Sequence, residues 1–135
     1  MSKSQRIAFR SIFFLYVAAV LLLCFGHFDS APSIPMTLLG IPTDKWVHFC
    51  MFFPFPILAF LAFDQFTETV RATLAFTFLT FLVGCLLAVG TEWGQAHLTN
   101  YRSGEPLDFV ADITALTLSS ICVAWWDIRK QKRKK

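Results

Sequence analysis

Charged residues are scarce in this chain: only 16% of its 135 residues are Asp, Glu, Lys or Arg, where a soluble domain carries about 25%. Glycine and proline number 6 each, and tyrosine only 2. So little charge excludes a disordered segment, which needs charge and few apolar residues. It also argues against a nucleic-acid module, and no DNA- or RNA-reading motif is present. There is no H-E-x-x-H zinc signature, no C-x-x-C pair and no nucleophile elbow. No internal repeat is visible.

What the chain does have is apolar surface. Its apolar fraction is 56%, its aromatic fraction 16%, and 16 of the aromatics are Phe. Mean hydropathy is +0.57. Phe faces hydrocarbon without needing a hydrogen-bond partner, so this composition reads as membrane-embedded. The length allows one domain, 1–135. The four cysteines, Cys24, Cys50, Cys85 and Cys122, each lie in an apolar run. They read as buried, reduced, small hydrophobes and report no redox compartment.

Hydropathy marks four spans, at about 8–26, 45–64, 71–95 and 107–127. The first includes Arg10, whose long stem reaches toward the headgroups. A signal peptide cleaved near Ser30-Ala31 is the weaker reading, because no clean A-x-A site is present and its removal would leave three spans. The second span holds Pro54 and Pro56, which should kink it and leave carbonyls for neighbouring helices to satisfy. Six of the twelve basic residues lie in the tail 129–135, and Lys3, Arg6 and Arg10 precede the first apolar run. With both termini inside, ten cations fall on the cytoplasmic side and two, Lys45 and Arg102, outside. The expected fold is therefore all-α: an integral membrane bundle of four transmembrane helices, both termini cytoplasmic, in a bacterial inner membrane.

Polar residues from distant segments share one depth, in the outer leaflet. Asp44, Lys45 and His48 open the second span. Glu92 and Gln95 close the third, Arg102 follows in the loop, and Asp108 and Asp112 open the fourth. Asp44 and His48 are i, i+4, so Asp44 is the expected orienting partner of His48. The third span carries a small-polar stripe, Thr73, Thr77, Thr80, Gly84, Ala88, Thr91 and Gln95. The fourth carries Asp108, Asp112, Ala115, Ser119 and Cys122. Small residues permit close packing in lipid, so these faces should meet. That contact would point Gln95, Asp108 and Asp112 at one another, with Glu92 at the margin.

Ionised carboxylates at this depth are costly. One reading is a structural network in which Lys45 and Arg102 clamp the helix ends. The other is a ligand-binding pocket formed by Asp44, Lys45, His48, Glu92, Gln95, Arg102, Asp108 and Asp112. In an enzyme, the catalytic candidates are His48, Asp44, Glu92 and Asp108. A metal held by His48, Glu92, Asp108 and Asp112 is chemically feasible, but no signature supports it, and neither metal nor cofactor is expected.

The ordered set Asp44-Lys45-Trp46-Val47-His48-Phe49, Glu92-Trp93-Gly94-Gln95, Arg102, Asp108 and Asp112 resembles the VanZ-like family of small bacterial membrane proteins. The resemblance covers about residues 40–125. Two features depart from the family pattern. The family's Asn is Asp112 here, and its two following glycines align with Ala115 and Ser119. The resemblance implies a cell-envelope role, and the founding member is associated with resistance to teicoplanin, a glycopeptide. Three functions follow as expectations: binding or remodelling of an envelope lipid or cell-wall intermediate, an intramembrane enzyme acting on a lipid headgroup with His48 as base, or a subunit of an ion-coupled transporter. Expected partners are membrane lipids, with a homo-oligomer also admitted, and no nucleic acid.

Overall fold

In a computed structural model, residues 2–26, 37–99 and 105–133 are described. The first helix, α1 (Lys3–Phe25), starts at a capping box: Ser2 Oγ accepts from the Gln5 N–H, and Gln5 Oε1 accepts from the Ser2 N–H. It stops at Gly26. A two-residue hairpin follows, with β1 (Thr37–Leu38) antiparallel to β2 (Ile41–Pro42). Its turn places Leu39 and Gly40 at φ 55 and 78, the left-handed pair that closes such hairpins and that glycine adopts without a steric penalty. This hairpin has no counterpart in the sequence reading.

The second span is two helices, α2 (Thr43–Phe52) and α3 (Pro54–Ala62), joined at Phe53. Pro54 and Pro56 have no N–H to continue the ladder, so the helix breaks where the sequence predicts a kink. Beside the break the Tyr16 hydroxyl of α1 donates to the Met51 carbonyl. A short 3-10 turn, Asp64–Phe66, leads into α4 (Val70–Leu98). The Thr69 hydroxyl caps α4 by accepting from the Ala72 N–H. The last helix, α5 (Pro106–Lys132), opens with proline, which needs no hydrogen-bond partner for its nitrogen at that position.

These segments form four stretches long and apolar enough to cross a membrane: Lys3–Phe25, Thr43–Ala62, Val70–Leu98 and Pro106–Lys132. Their ends differ from the limits read from hydropathy by up to five residues. The chain runs back and forth, and side-chain contacts show which ends coincide. At the terminus end, Arg6 pairs with Asp64 at 2.9 Å, and Asp127 accepts from Thr73 at 2.7 Å and from Gln131 at 2.9 Å. Arg10, expected to snorkel, instead donates to the Ala62 carbonyl at the end of α3 and lies over the Phe63 ring. At the opposite end, beside the hairpin, α2, α4 and α5 carry the polar site.

Helix α4 packs most extensively against α5, and α5 is also covered by α2 and α3. Most of the expected stripe makes this contact: Thr73, Thr80, Gly84, Ala88 and Thr91 are buried alongside a buried row on α5 that includes Asp108, Asp112, Ala115 and Ser119, whereas Gln95, also buried, bonds to α1. Gly84 permits the approach, because a Cβ there would lie 2.6 Å from the Leu116 side chain and 3.3 Å from Phe55. Cys122 does not belong to that row; it is exposed, as is Cys50. Of the four cysteines only Cys24 is buried, which corrects the uniform burial expected from hydropathy. An apolar run in a small bundle has an outer face, and these two thiols lie on it.

The core joins all four spans through Val20, Cys24, Met51, Phe52, Phe55, Ala88, Ala115 and Leu116. Outside it, large apolar side chains stand exposed on every span, among them Leu15, Val47, Leu86 and Ile121. Only 11% of the most apolar window of α1 is buried, against 50% for the second span. Exposed apolar surface this extensive is what a lipid-facing bundle presents. Trp93, Trp125 and Trp126 stand exposed near the two ends, with Arg129 over the Trp125 ring at 3.9 Å.

Candidate functional site

The site begins with the start of α2. Lys45 is buried, although its side chain ends in a charged ammonium. Its ammonium donates to three carboxylates: Asp108 at 2.5 Å, Glu105 at 2.7 Å and Asp44 at 2.8 Å. These three oxygens satisfy the three donors of an ammonium, which is why the buried charge is tolerated. Asp44 and Glu105 are 51% exposed, whereas the Asp108 side chain is 9% exposed. Lys45 therefore joins a half-exposed carboxylate rim to the bundle interior.

His48 lies one turn deeper on α2 and is surrounded by acids. Its Nδ1 is 3.1 Å from Asp112 Oδ1 and 3.7 Å from Glu92 Oε1, and its Nε2 is 3.7 Å from Asp108 Oδ2. An ionised carboxylate only accepts, so the close Asp112 contact places a proton on Nδ1. The partner of His48 is thus Asp112 of α5, not Asp44, its neighbour one turn away. Side chains on a helix project toward its N-terminus, and Asp44 lies at the mouth where Lys45 binds it.

The third and fourth spans supply the rest. Glu92 Oε2 accepts the Glu105 N–H at 3.0 Å and so ties α4 to the start of α5. Its Oε1 is buried and accepts no hydrogen bond, and the same holds for Asp112 Oδ2. Asp112 is fully buried. Gln95 is buried as well, but it turns to α1, where its Nε2 donates to the Cys24 carbonyl at 3.0 Å. The expected arrangement is therefore reversed: Glu92 faces the acidic cluster, and Gln95 faces the first helix. Gln95 fastens the end of α1 to α4.

Of the sequence candidates, the structure brings together Asp44, Lys45, His48, Glu92, Asp108 and Asp112. It separates Gln95 from them, and Arg102 lies outside the described residues. It also adds Glu105, which was not among the sequence candidates. Its position directly before Pro106, at the start of a helix shared with Asp108, was the available signal.

Among the described residues, two groupings of carboxylate or histidine side chains have donor atoms close enough to hold a cation. In the first, Asp44, Glu105 and Asp108, the Lys45 ammonium already fills that role. The second, His48, Glu92 and Asp108, lies deeper. A separate apolar groove of about 410 Å³ runs between α1 and α2 beside the site, lined by Tyr16, Leu23, Trp46, Val47, Cys50 and Met51 among others. No family model matches the chain, and no curated protein or solved structure matches it.

Proposed function

We propose that this chain is a VanZ-like multi-pass protein of the bacterial inner membrane whose polar end binds or remodels an envelope lipid or cell-wall intermediate, lowering susceptibility to glycopeptides such as teicoplanin. Both termini lie on the cytoplasmic side in this reading, because the basic residues concentrate there. The hairpin end then opens toward the outer leaflet, where lipid-linked cell-wall intermediates are exposed.

The observation that carries the reading is the convergence of Lys45, His48, Glu92, Asp108 and Asp112 from three helices at one end of the bundle. Charge buried at such a depth is costly and marks functional sites more often than structural ones. Carboxylates accept hydrogen bonds from the hydroxyls and amines of a sugar-peptide headgroup. The apolar groove between α1 and α2, on a face of α2 other than the one Lys45 and His48 occupy, offers a place for an acyl chain. The VanZ-like residue pattern of the sequence adds the envelope assignment.

The test is native mass spectrometry of the protein released from a mild membrane mimic, comparing wild type with Glu92→Gln. A headgroup lipid retained by wild type and lost in the variant supports the reading. In parallel, the chain is expressed in a glycopeptide-sensitive host and teicoplanin susceptibility is measured. A bare protein together with unchanged susceptibility at verified expression overturns the proposal.

One observation favours a second reading. The Asp112–His48 pair is the geometry that orients a general base, which fits an enzyme acting on a lipid headgroup. Comparing the membrane lipids of expressing and non-expressing cells decides it, since identical profiles exclude turnover of a membrane lipid. An ion-coupled transporter subunit would need several copies around a shared path, and size measurement in nanodiscs checks it.

A further inference from the structure

We propose that His48, Glu92 and Asp108 hold a divalent metal ion, with Asp112 as the carboxylate that orients the histidine. The argument begins with charge. Glu92, Asp108 and Asp112 are three carboxylates with side chains 12%, 9% and 0% exposed. Lys45 is the only lysine or arginine among the described residues that bonds to any of them. With His48 neutral, two negative charges remain uncompensated, and one divalent ion cancels them.

Orphaned oxygens point the same way. Glu92 Oε1 and Asp112 Oδ2 are buried acceptors with no hydrogen-bond donor, and such atoms are rare in folded proteins unless water or an ion meets them. Asp112 is completely buried and belongs to the cluster through its contact with His48. The neighbouring triad of Asp44, Glu105 and Asp108 provides a comparison, because there an ammonium sits among the three acids. The deeper triad has a similar grouping of donors, and among the described residues no lysine or arginine sits within it.

The histidine geometry suits a ligand. With His48 neutral, Asp112 accepts the hydrogen bond from Nδ1–H at 3.1 Å, and the Nε2 lone pair then faces Asp108 Oδ2, 3.7 Å away. A lone pair facing a carboxylate oxygen is repulsive unless something positive lies between them. Two ligands bound to one metal at about 2.1 Å each sit roughly 3.0–3.4 Å apart. A contraction of a few tenths of an ångström would bring this pair to that spacing. A carboxylate holding the far nitrogen of a metal-bound histidine is the usual second partner of such sites. One imidazole and two carboxylates suit Zn²⁺ or Mn²⁺ rather than Ca²⁺ or Mg²⁺, which take oxygen alone.

The same ion would give the acidic site a means of binding an anionic headgroup, by bridging a phosphate to the carboxylates. That step rests on the lipid reading above, whereas metal binding itself does not.

The test uses the full chain in nanodiscs, purified without a histidine tag and stripped with chelator. Zn²⁺ and Mn²⁺ are titrated by calorimetry, and bound metal is measured by elemental mass spectrometry. The expected result is one equivalent of one of them at micromolar affinity or better. His48→Ala and Asp108→Asn should each weaken binding at least a hundredfold, and Asp112→Asn ten- to a hundredfold. His97→Ala is the control, because His97 is exposed and, among the described residues, bonds only within its own helix, to the Trp93 carbonyl; it should leave binding unchanged. Less than a tenth of an equivalent on folded wild type overturns the proposal, whatever the variants do. So does binding lost equally in His97→Ala. Phosphate-headgroup vesicles are then added with and without the metal. Metal bound without lipid leaves the metal site standing and fails the lipid reading. Lipid bound equally in chelator leaves the lipid reading standing and removes the bridging role.

Discussion

Removing the Lys45 ammonium should unfold the hairpin end of the bundle more readily, and by an amount the geometry sets. Consider Lys45→Met, which keeps most of the volume and deletes the charge. Two of the three partners, Asp44 and Glu105, are half exposed, and such pairs are worth about 0–1 kcal/mol each after screening. Asp108 is different. Its side chain is 9% exposed, and a buried charge left without its partner costs about 3–5 kcal/mol. Asp108 sits in the first turn of α5, where the helix dipole returns up to about 1 kcal/mol. The expected loss is about 3 kcal/mol. Asp108→Asn alone should cost about 1–2 kcal/mol, because Lys45 keeps two solvated acids. The double variant should lose about 2 kcal/mol, well short of the sum of the two single losses. Equilibrium unfolding in mixed micelles, read through tryptophan fluorescence, measures all three, with chelator present so that no metal substitutes for the ammonium. A Lys45→Met protein within about 0.5 kcal/mol of wild type would refute this account of how the charge is held. Strictly additive losses would refute the direct pairing of Lys45 with Asp108.

Three further outcomes follow from packing. Gly84→Ala puts a methyl group 2.6 Å from the side chain of the fully buried Leu116; it should destabilise by about 1–3 kcal/mol in the same unfolding assay, and Leu116→Val should recover part of that loss. Asp127→Leu leaves the Thr73 hydroxyl and the Gln131 amide without their shared acceptor; it should cost about 1–3 kcal/mol and raise hydrogen exchange at the C-terminal end of α5, while wild-type exchange there would count against the network. A lipid-soluble maleimide should label Cys50 and Cys122 well before Cys24; equal labelling of Cys24 in the folded protein would contradict its burial among the core residues.

Hydropathy and spacing made a large part of this protein legible in advance. Each of the four spans is an apolar run of bilayer length, and that property belongs to the local sequence alone. The kink at Pro54 and Pro56 is likewise local, because a missing N–H breaks the ladder in any surroundings. The buried face of α4 was readable because small side chains recur along it at helical spacing, and the contact with α5 followed from the matching row there. That Asp44, Lys45, His48, Glu92, Asp108 and Asp112 share one depth also follows from the sequence, once alternate spans run in opposite directions. Burial of the cysteines was not readable, since an apolar residue in a thin bundle faces lipid as readily as core.

Tertiary structure decided which of these residues touch. Glu92 and Gln95 are three positions apart, about 60° around the helix, so they straddle one face. Which of them meets α1 and which meets α2 and α5 depends on the order of helices around the bundle, and the sequence does not encode that order locally. The same holds for His48. Its i, i+4 neighbour Asp44 was visible from spacing, but α5 packs close enough to bring Asp112 to 3.1 Å, and a buried partner outcompetes one that Lys45 already holds at the mouth. Residue spacing sets the direction of each side chain about its own axis, and only the packing of the axes sets what stands opposite.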